Sequence, residues 1–228
     1  AIEGSMTFEF LSIFKWERRK GWDLLLDSYW SAFTSDDPVL LRLHTYVPAW
    51  VQGERNITTL IAQYAMERYG KVLSELPAVK WEQENTDGMA MSRADVRNLY
   101  ATADAFVLPT RGEGWGLPVV EAMAMSVPVI VSNCSGPAVF ADNDSAYMIP
   151  VMDQLDDFGY SIPDSAALRD ILQQVVRESC PSESGTLASA RVKAARGREA
   201  VLKWSPDYVV GEMVKRLRVL SAERGYDP

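Results

Sequence analysis

The chain has few of the residues that assemble metal sites. Its 228 residues include two cysteines, Cys134 and Cys180, and one histidine, His44. Because there is no CxxC pair and no cysteine–histidine cluster, the usual ligands of a structural zinc site are missing. Two cysteines that form no recognisable disulfide framework are typical of a cytosolic protein whose thiols are reduced, although the sequence also permits one disulfide.

Long apolar runs and an excess of positive charge are missing as well. No apolar run approaches 18 residues, so no transmembrane helix is predicted, and no signal peptide is recognisable. Lys and Arg number 23 against 31 Asp and Glu, a net charge of −8. This balance disfavours nucleic acid or an anionic membrane as the main partner, but a small phosphorylated ligand needs only one or two local cations. A cytoplasmic location is predicted.

The composition that remains is typical of a globular domain, with 47% hydrophobic and 24% charged residues. The first five residues, Ala1 to Ser5, are interpreted as a cloning remnant, which indicates an excised fragment. Residues 6–228 are interpreted as one domain, because no segment between them has the composition of a linker.

Strand-like and helical segments alternate along the first two thirds of the chain. The predicted strands are Thr7–Phe14, Val39–Tyr46, Ala78–Glu82, Ala105–Pro109, Val127–Val131 and Ala146–Pro150. Helical spacing marks the segments between them, Ser92 is a predicted N-cap, and the chain beyond Pro163 is predicted to be helical. Short strands that are apolar throughout are covered by helices on both faces. The pattern predicts an α/β fold with a Rossmann-like, doubly wound parallel sheet of about six strands and C-terminal helices.

In such a sheet the ligand lies beyond the carboxyl ends of the strands. Three segments are expected to meet there: Lys15–Lys20, Thr110–Glu121 and Ser132–Pro137. We therefore look for chemistry in these loops, and interpret Thr45–Arg55 and Pro150–Pro163 as long connections.

The segment TRGEGWGLPVVE, residues 110–121, has glycines at alternate positions between a buried strand and a helix. Glycines let the backbone approach a ligand, and the helix N-terminus favours an anion such as a diphosphate. Two carboxylates, Glu113 and Glu121, flank the loop, and a carboxylate suits a pair of vicinal sugar hydroxyls. The alternative is a glycine-rich turn whose acids are solvated or capping.

Two lysines, Lys15 and Lys20, flank the first strand–helix turn and could neutralise a diphosphate. The alternative is a solvated charge run, KWERRK, in which Arg18 and Arg19 are predicted to be surface residues. Three tryptophans near the first helix, Trp16, Trp22 and Trp30, are predicted to belong to the core or to a domain interface, and no nucleophilic role is expected for Cys134.

Together, FKWERRKGWDLLL and, further along, ADAFVLPTRGEGWGLPVVEAMAMSVPVIVSNCSGP resemble the C-terminal donor domain of family 4 glycosyltransferases of the GT-B fold. The Lys20-Gly21 turn, the Glu113 to Glu121 spacing, the EAMA helix and the Pro-Val-Ile strand carry the resemblance. It covers roughly Thr7 to Pro150.

The resemblance implies a retaining transfer of a hexose from a nucleoside-diphosphate sugar, with UDP- and GDP-sugars as the expected partners. It implies that Glu113 is catalytic and touches the donor sugar near the transferred carbon. The implied donor-binding residues are Lys15 and Lys20 for the diphosphate, Glu121 for the ribose, and the loop Gly114, Trp115, Gly116 and Leu117. No cofactor and no divalent metal are implied, since basic side chains and helix N-termini stabilise the leaving diphosphate in this family.

The chain also departs from the family pattern. Ala138 and Val139 follow Ser135-Gly136-Pro137, where many members carry a Glu, so a contact that could influence sugar choice is missing. The N-terminal acceptor domain is expected to be absent, together with its histidine, and His44 is not interpreted as its substitute. The isolated domain is therefore expected to be nearly inactive, and membrane attachment through the missing domain stays compatible with the sequence.

Two other functions fit the same residues. One is a non-catalytic nucleotide-binding module or regulatory subunit that works with a partner chain. The other is a nucleotide-sugar 2-epimerase, a non-transferase relative with the same fold. The pairing of Glu113 with Glu121 favours the transferase.

Overall fold

A computed structural model describes residues 7–83, 92–179 and 189–224. Its centre is a parallel sheet of six strands in the order β3-β2-β1-β4-β5-β6. The strands are β1 Phe8–Lys15, β2 Val39–Tyr46, β3 Val79–Gln83, β4 Ala105–Leu108, β5 Val129–Ser132 and β6 Tyr147–Ile149. The predicted doubly wound parallel sheet is confirmed, and each predicted strand agrees with the observed one to within two residues at either end.

Helices flank the sheet. They are α1 Trp22–Ala32, α2 Ile57–Tyr69, α3 Arg93–Ala101, α4 Leu117–Ala124, α5 Ser165–Ser179, α6 Ser189–Leu202 and α7 Pro206–Glu223. Side-chain caps fix three of the starts, because Asn56, Ser92 and Ser205 each accept a hydrogen bond from a backbone N–H three residues on. Helix α1 packs against α5, and α4 packs against α6.

The core follows from the apolar strands. Every residue of β4 and β5 is buried, as expected for strands covered on both faces. Trp16 and Trp30 are buried, and Trp22 stacks on Trp16 with ring centroids 4.7 Å apart, which confirms their predicted place in the core. Fully burying one large apolar side chain stabilises a fold by about 1.5–3 kcal/mol.

The strand order places a ligand crevice beside β1. The chain winds outward in one direction from β1 to β3 and in the other from β4 to β6. The loops that leave the carboxyl ends of β1 and β4 therefore diverge, which opens a crevice at this switch point. Both of the loops singled out in the sequence, Lys15–Lys20 and Thr110–Glu121, begin there.

A small hairpin corrects one prediction. The sequence predicts an irregular connection over Pro150–Pro163, but this segment forms two antiparallel strands, β7 Val151–Leu155 and β8 Ser161–Pro163. Asp156 closes the hairpin, since its carboxylate accepts hydrogen bonds from the N–H groups of Phe158 and Tyr160, both at 2.9 Å. A local turn of this kind leaves little apolar pattern from which to predict strands.

The C-terminal helix differs from the others. Within the described residues, α7 buries none of its side chains, and it exposes an apolar row that includes Val210, Met213 and Leu217. Among the described residues, no helix is both long enough and apolar enough to cross a membrane.

Candidate functional site

The crevice is built on a tight turn after β1. Gly21 has a φ of 74°, a conformation that glycine adopts without strain, and a Cβ at this position would fall on the carbonyl oxygen of Pro109. The turn therefore presses directly against the end of β4, and Lys20 is held beside the loop that follows that strand.

A buried arginine fastens the same two segments. Arg111 is 7% exposed and makes two hydrogen bonds to the carboxylate of Asp23, both at 2.7 Å. It also donates to the carbonyl oxygen of Arg18 at 2.7 Å. A bidentate arginine–carboxylate pair fixes orientation as well as distance. Sequence analysis missed this pair, because its partners lie on loops that only the fold brings together.

At the centre of the crevice, the Lys20 ammonium forms a salt bridge with the Glu113 carboxylate. The two side chains are only 12% and 14% exposed, so solvent screens their attraction less than it would at the surface. Arg19 lies against the same carboxylate, with 3.8 Å between Nη1 and Oε2, and donates to the Gly112 carbonyl at 2.6 Å. Arg19, predicted to be a surface residue, is partly exposed and lies beside the carboxylate of the site.

The loop that carries Glu113 is held by the segment after β5. The Glu113 N–H donates to Ser135 Oγ at 2.9 Å, and the Gly136 N–H donates to the Glu113 carbonyl at 3.1 Å. Cys134 lies next to these contacts, with its sulfur 3.7 Å from the Thr110 carbonyl. The third segment expected at this edge, Ser132–Pro137, therefore does meet the Thr110–Glu121 loop.

Trp115 anchors the remainder of the loop. Its ring packs against Phe140 and Trp204, with centroids 5.2 and 5.0 Å away. Gly116 follows and is the N-cap of α4. Its φ of 86° lies in the left-handed region, which glycine adopts without strain. The N-terminus of α4 is thereby aimed into the crevice.

Glu121 lies one turn into α4, and a tyrosine of the core fixes its carboxylate. It accepts a hydrogen bond of 2.7 Å from the hydroxyl of Tyr100, which is 1% exposed. Burial, and then the hydrogen bond to Glu121, raise the pKa of Tyr100 well above its usual range. The phenol therefore remains a donor at any physiological pH and fixes the orientation of the carboxylate.

An open cavity of about 400 Å³ occupies the crevice, and we call it the switch-point cavity. This volume lies within the range of small-molecule sites. Its lining includes the predicted residues Lys15, Lys20, Glu113, Trp115, Gly116 and Leu117. Gly114 and Glu121 are not among the lining residues.

Two residues of β2, His44 and Tyr46, also line the switch-point cavity. His44 is buried in the strand, and sequence analysis did not place either residue at the site. Their place at the carboxyl end of β2, next to β1, is the signal that could have found them.

Lys15 is more exposed to solvent than Lys20 and is not paired with Glu113. It ends β1 with an exposed side chain, and its ammonium lies 5.3 Å from the centroid of the Trp50 ring, a cation–π contact. Both Lys15 and Lys20 line the switch-point cavity, so it carries two cations that suit an anion. Among the described residues, no group of three His, Cys, Asp or Glu side chains could hold a metal ion.

Several known proteins are similar to this chain in sequence or in fold. A 49-residue segment is 49% identical to the O-antigen chain mannosyltransferase B of Escherichia coli, covering 21% of this chain and 13% of that protein. The chain matches between 13% and 22% of the length of its curated relatives.

Among solved structures, sucrose-phosphate synthase from Thermosynechococcus elongatus superposes with a TM-score of 0.66 at 21% identity, over 95% of this chain and 46% of that one. Anabaena HepE in complex with UDP and glucose superposes with a TM-score of 0.63 at 16% identity, over 92% and 49%. At these identities the likeness shows the fold, and that fold is the Rossmann-like half of GT-B enzymes.

A sequence profile gives the family itself. The profile described as glycosyl transferases group 1 matches residues 8–164, more than half of the chain, and this range contains β1 to β8 and the whole switch-point cavity. The chain therefore belongs to the glycosyl transferases group 1 family.

Proposed function

We propose that this chain is the donor-binding part of a retaining glycosyltransferase, which transfers a hexose from a nucleoside-diphosphate sugar to an acceptor. The observation that carries the proposal is the salt bridge between Lys20 and Glu113, which line the switch-point cavity together with the first residues of α4. A cation suited to phosphate and an acceptor suited to hydroxyls lie side by side there. The names of the similar proteins agree, since one is a mannosyltransferase and another was solved with UDP and glucose.

The diphosphate would lie between Lys20 and the N-terminus of α4. Both of them border the cavity, and both favour negative charge. In the structure Lys20 is paired with Glu113, so an incoming phosphate competes with that carboxylate for the ammonium. As the donor binds, Glu113 becomes available to the sugar hydroxyls next to the diphosphate.

This arrangement suits departure of a diphosphate without a metal ion. Negative charge develops on the leaving phosphate oxygen, and fixed cations and amide dipoles stabilise it without reorganisation. Glu113, held by Ser135 through its backbone N–H, is oriented towards the sugar and acts beside the transferred carbon.

Glu121 serves the other end of the donor. Tyr100 fixes one of its carboxylate oxygens, which leaves acceptor sites for the two vicinal hydroxyls of a ribose. Glu121 lies beyond the cavity lining, further along α4, so the nucleoside would extend out of the cavity past this helix.

Sugar transfer to an acceptor would require a second domain. The chain spans less than half of the structures that it superposes on, and we propose that the active site is completed by an acceptor domain across the crevice. The isolated chain should bind donor and transfer little or no sugar.

Calorimetry with UDP, GDP and ADP and their hexose conjugates tests the proposal, with Lys20→Ala as the critical variant. The loss of a charge-assisted hydrogen bond should weaken diphosphate binding by about 1.5–3 kcal/mol, roughly 10- to 150-fold in Kd. The matched control is Lys71→Ala, which removes an exposed lysine far from the crevice in sequence and should leave Kd unchanged.

Two results would contradict the proposal. Equal affinity of wild type and Lys20→Ala would remove Lys20 from the site. Loss of binding on addition of EDTA, with recovery on addition of Mg²⁺, would contradict metal-free binding. Melting temperatures of both variants establish that they are folded.

A further inference from the structure

A second hollow lies on the other side of the loop that carries Glu113. We call it the hairpin groove, and it has a volume of about 550 Å³. Its lining residues are Glu17, Arg18, Arg19, Trp50, Phe158 and Tyr160. Two of its rings are unusually open to solvent, with Trp50 68% and Phe158 71% exposed. Large exposed rings gathered in one hollow indicate a binding surface.

The ring of Phe158 and the hairpin that carries it are held in place by their neighbours. The guanidinium of Arg18 lies 4.9 Å from the centroid of Phe158 and 3.2 Å from Asp156, which itself closes the hairpin. The hairpin is tied to the site loop, because the Ser161 N–H donates to the Arg111 carbonyl at 3.0 Å. A surface that is fixed before binding loses less entropy when a ligand arrives.

The hairpin groove shares a wall with the switch-point cavity. Arg19 lines the groove and also lies 3.8 Å from the Glu113 carboxylate. On the hairpin side, the Tyr160 ring stands against Gly112, the residue before Glu113. A ligand in the groove would therefore lie against Arg19, the residue that also contacts the carboxylate proposed to touch the donor sugar.

We infer that the hairpin groove binds a sugar ring of the glycosyl acceptor, an inference that rests on the proposed function. The C–H faces of a pyranose pack on aromatic rings, while its hydroxyls need planar donors and acceptors at the edge. Trp50, Phe158 and Tyr160 supply the rings, and Arg19 and Glu17 supply the polar groups. The volume falls within the range of small-ligand sites.

The mixed charge of the groove favours a carbohydrate over a membrane surface. Two carboxylates, Glu17 and Asp156, pair with the arginines, at 3.3 Å to Arg19 and 3.2 Å to Arg18. An anionic bilayer would instead require unpaired cations on a convex face. Neutral hydroxyl groups can use both signs of charge.

The test measures binding to immobilised oligosaccharides that end in mannose, galactose, glucose or N-acetylglucosamine, followed by calorimetry on the strongest binder. We expect millimolar binding by the wild-type chain, and Kd at least fivefold weaker in Phe158→Ala and in Trp50→Ala. The matched control is Tyr208→Ala, which removes an exposed ring from α7 and should change nothing. Phe158→Ala should keep its affinity for UDP- and GDP-sugars and its melting temperature.

Three outcomes would overturn the inference. If donor sugars bind and no oligosaccharide does, the groove is not a sugar site and the proposed function stands. If oligosaccharide binding is equal in wild type and Phe158→Ala, the sugar lies elsewhere. If sedimentation with phosphatidylcholine–phosphatidylglycerol vesicles depends on Phe158 and no oligosaccharide binds, the groove contacts membranes. If neither donor sugars nor oligosaccharides bind, the proposed function is wrong, and the inference that rests on it is wrong too.

Discussion

The switch-point cavity and the hairpin groove lie on opposite sides of one loop, yet they are built differently. The cavity is formed by polar groups that are largely removed from water, such as Lys20 and Glu113, and by a backbone that leaves no room for a side chain at Gly21. The groove is formed by exposed rings on a hairpin outside the main sheet. Changes in the cavity should therefore affect stability and binding together, whereas changes in the groove should affect binding alone.

The largest expected effect comes from Gly21→Ala. The new methyl group would meet the Pro109 carbonyl, and the residue would also have to adopt a positive φ. We expect a loss of about 2–5 kcal/mol in the free energy of unfolding, measured by urea denaturation, together with loss of diphosphate binding.

Gly70→Ala is the matched control for this prediction. Gly70 has a similar φ of 62°, but nothing lies within 4 Å of the position that an alanine Cβ would occupy there. This variant should lose only the backbone contribution of about 1–2 kcal/mol. Equal losses in the two variants would show that the turn after β1 does not press on the end of β4, and the cavity would then lack the rigid backbone that distinguishes it from the groove.

The cavity is largely predictable from the sequence because its parts are local. Strand ends, the Lys20-Gly21 turn and the start of α4 each follow from short-range patterns, and a parallel sheet brings strand ends to one edge. The contact of Arg19 with Glu113 is not predictable from the sequence, since it depends on the packing of two loops. The same holds for the pair of Arg111 and Asp23.

The hairpin groove escapes prediction for a different reason. Phe158 and Tyr160 lie between polar residues in a segment without helical or alternating periodicity. Trp50 is far from them in the sequence and reaches the groove through the loop after β2. Exposed rings on a polar segment give no signal of burial, which is the signal that sequence patterns report.

Within the donor site, Glu113 and Glu121 can be compared with each other, because they are assigned to different parts of the donor. Glu121→Gln removes charge from the proposed ribose site and should weaken a nucleoside diphosphate and its sugar conjugate equally, by about 1–1.5 kcal/mol. Glu113→Gln should weaken the sugar conjugate relative to the bare diphosphate. It should also bind the bare diphosphate as tightly as wild type or tighter, because Lys20 is released from its salt bridge.

Calorimetry with UDP and a UDP-hexose, or the guanosine pair, measures both effects on the same samples. In a reunited two-domain enzyme, Glu113→Gln should lower kcat more than donor affinity, since a group beside the transferred carbon acts mainly in the transition state. If Glu113→Gln weakens the bare diphosphate as much as Glu121→Gln does, the assignment of the two acids to different parts of the donor is wrong.

The smallest expected effect concerns Tyr100, which supports Glu121 from the core. Its folded-state pKa is raised by burial and by Glu121, above the value of about 10 in an unfolded chain. Its contribution to stability is therefore complete below pH 10 and is lost as the pH rises towards the folded-state value. Tyr100→Phe should cost about 1 kcal/mol at pH 8.

Urea denaturation of wild type and Tyr100→Phe at pH 8 and pH 11 isolates the titration of Tyr100. The other buried tyrosines are present in both proteins, so their contributions cancel in the comparison. Wild type should lose about 1 kcal/mol more than Tyr100→Phe between the two pH values, because only in wild type does unfolding let Tyr100 ionise. The variant should also bind nucleoside diphosphate slightly more weakly at pH 8, since Glu121 loses the donor that orients it. An equal loss of stability in wild type and Tyr100→Phe would show that the Tyr100 hydroxyl is not sequestered against Glu121.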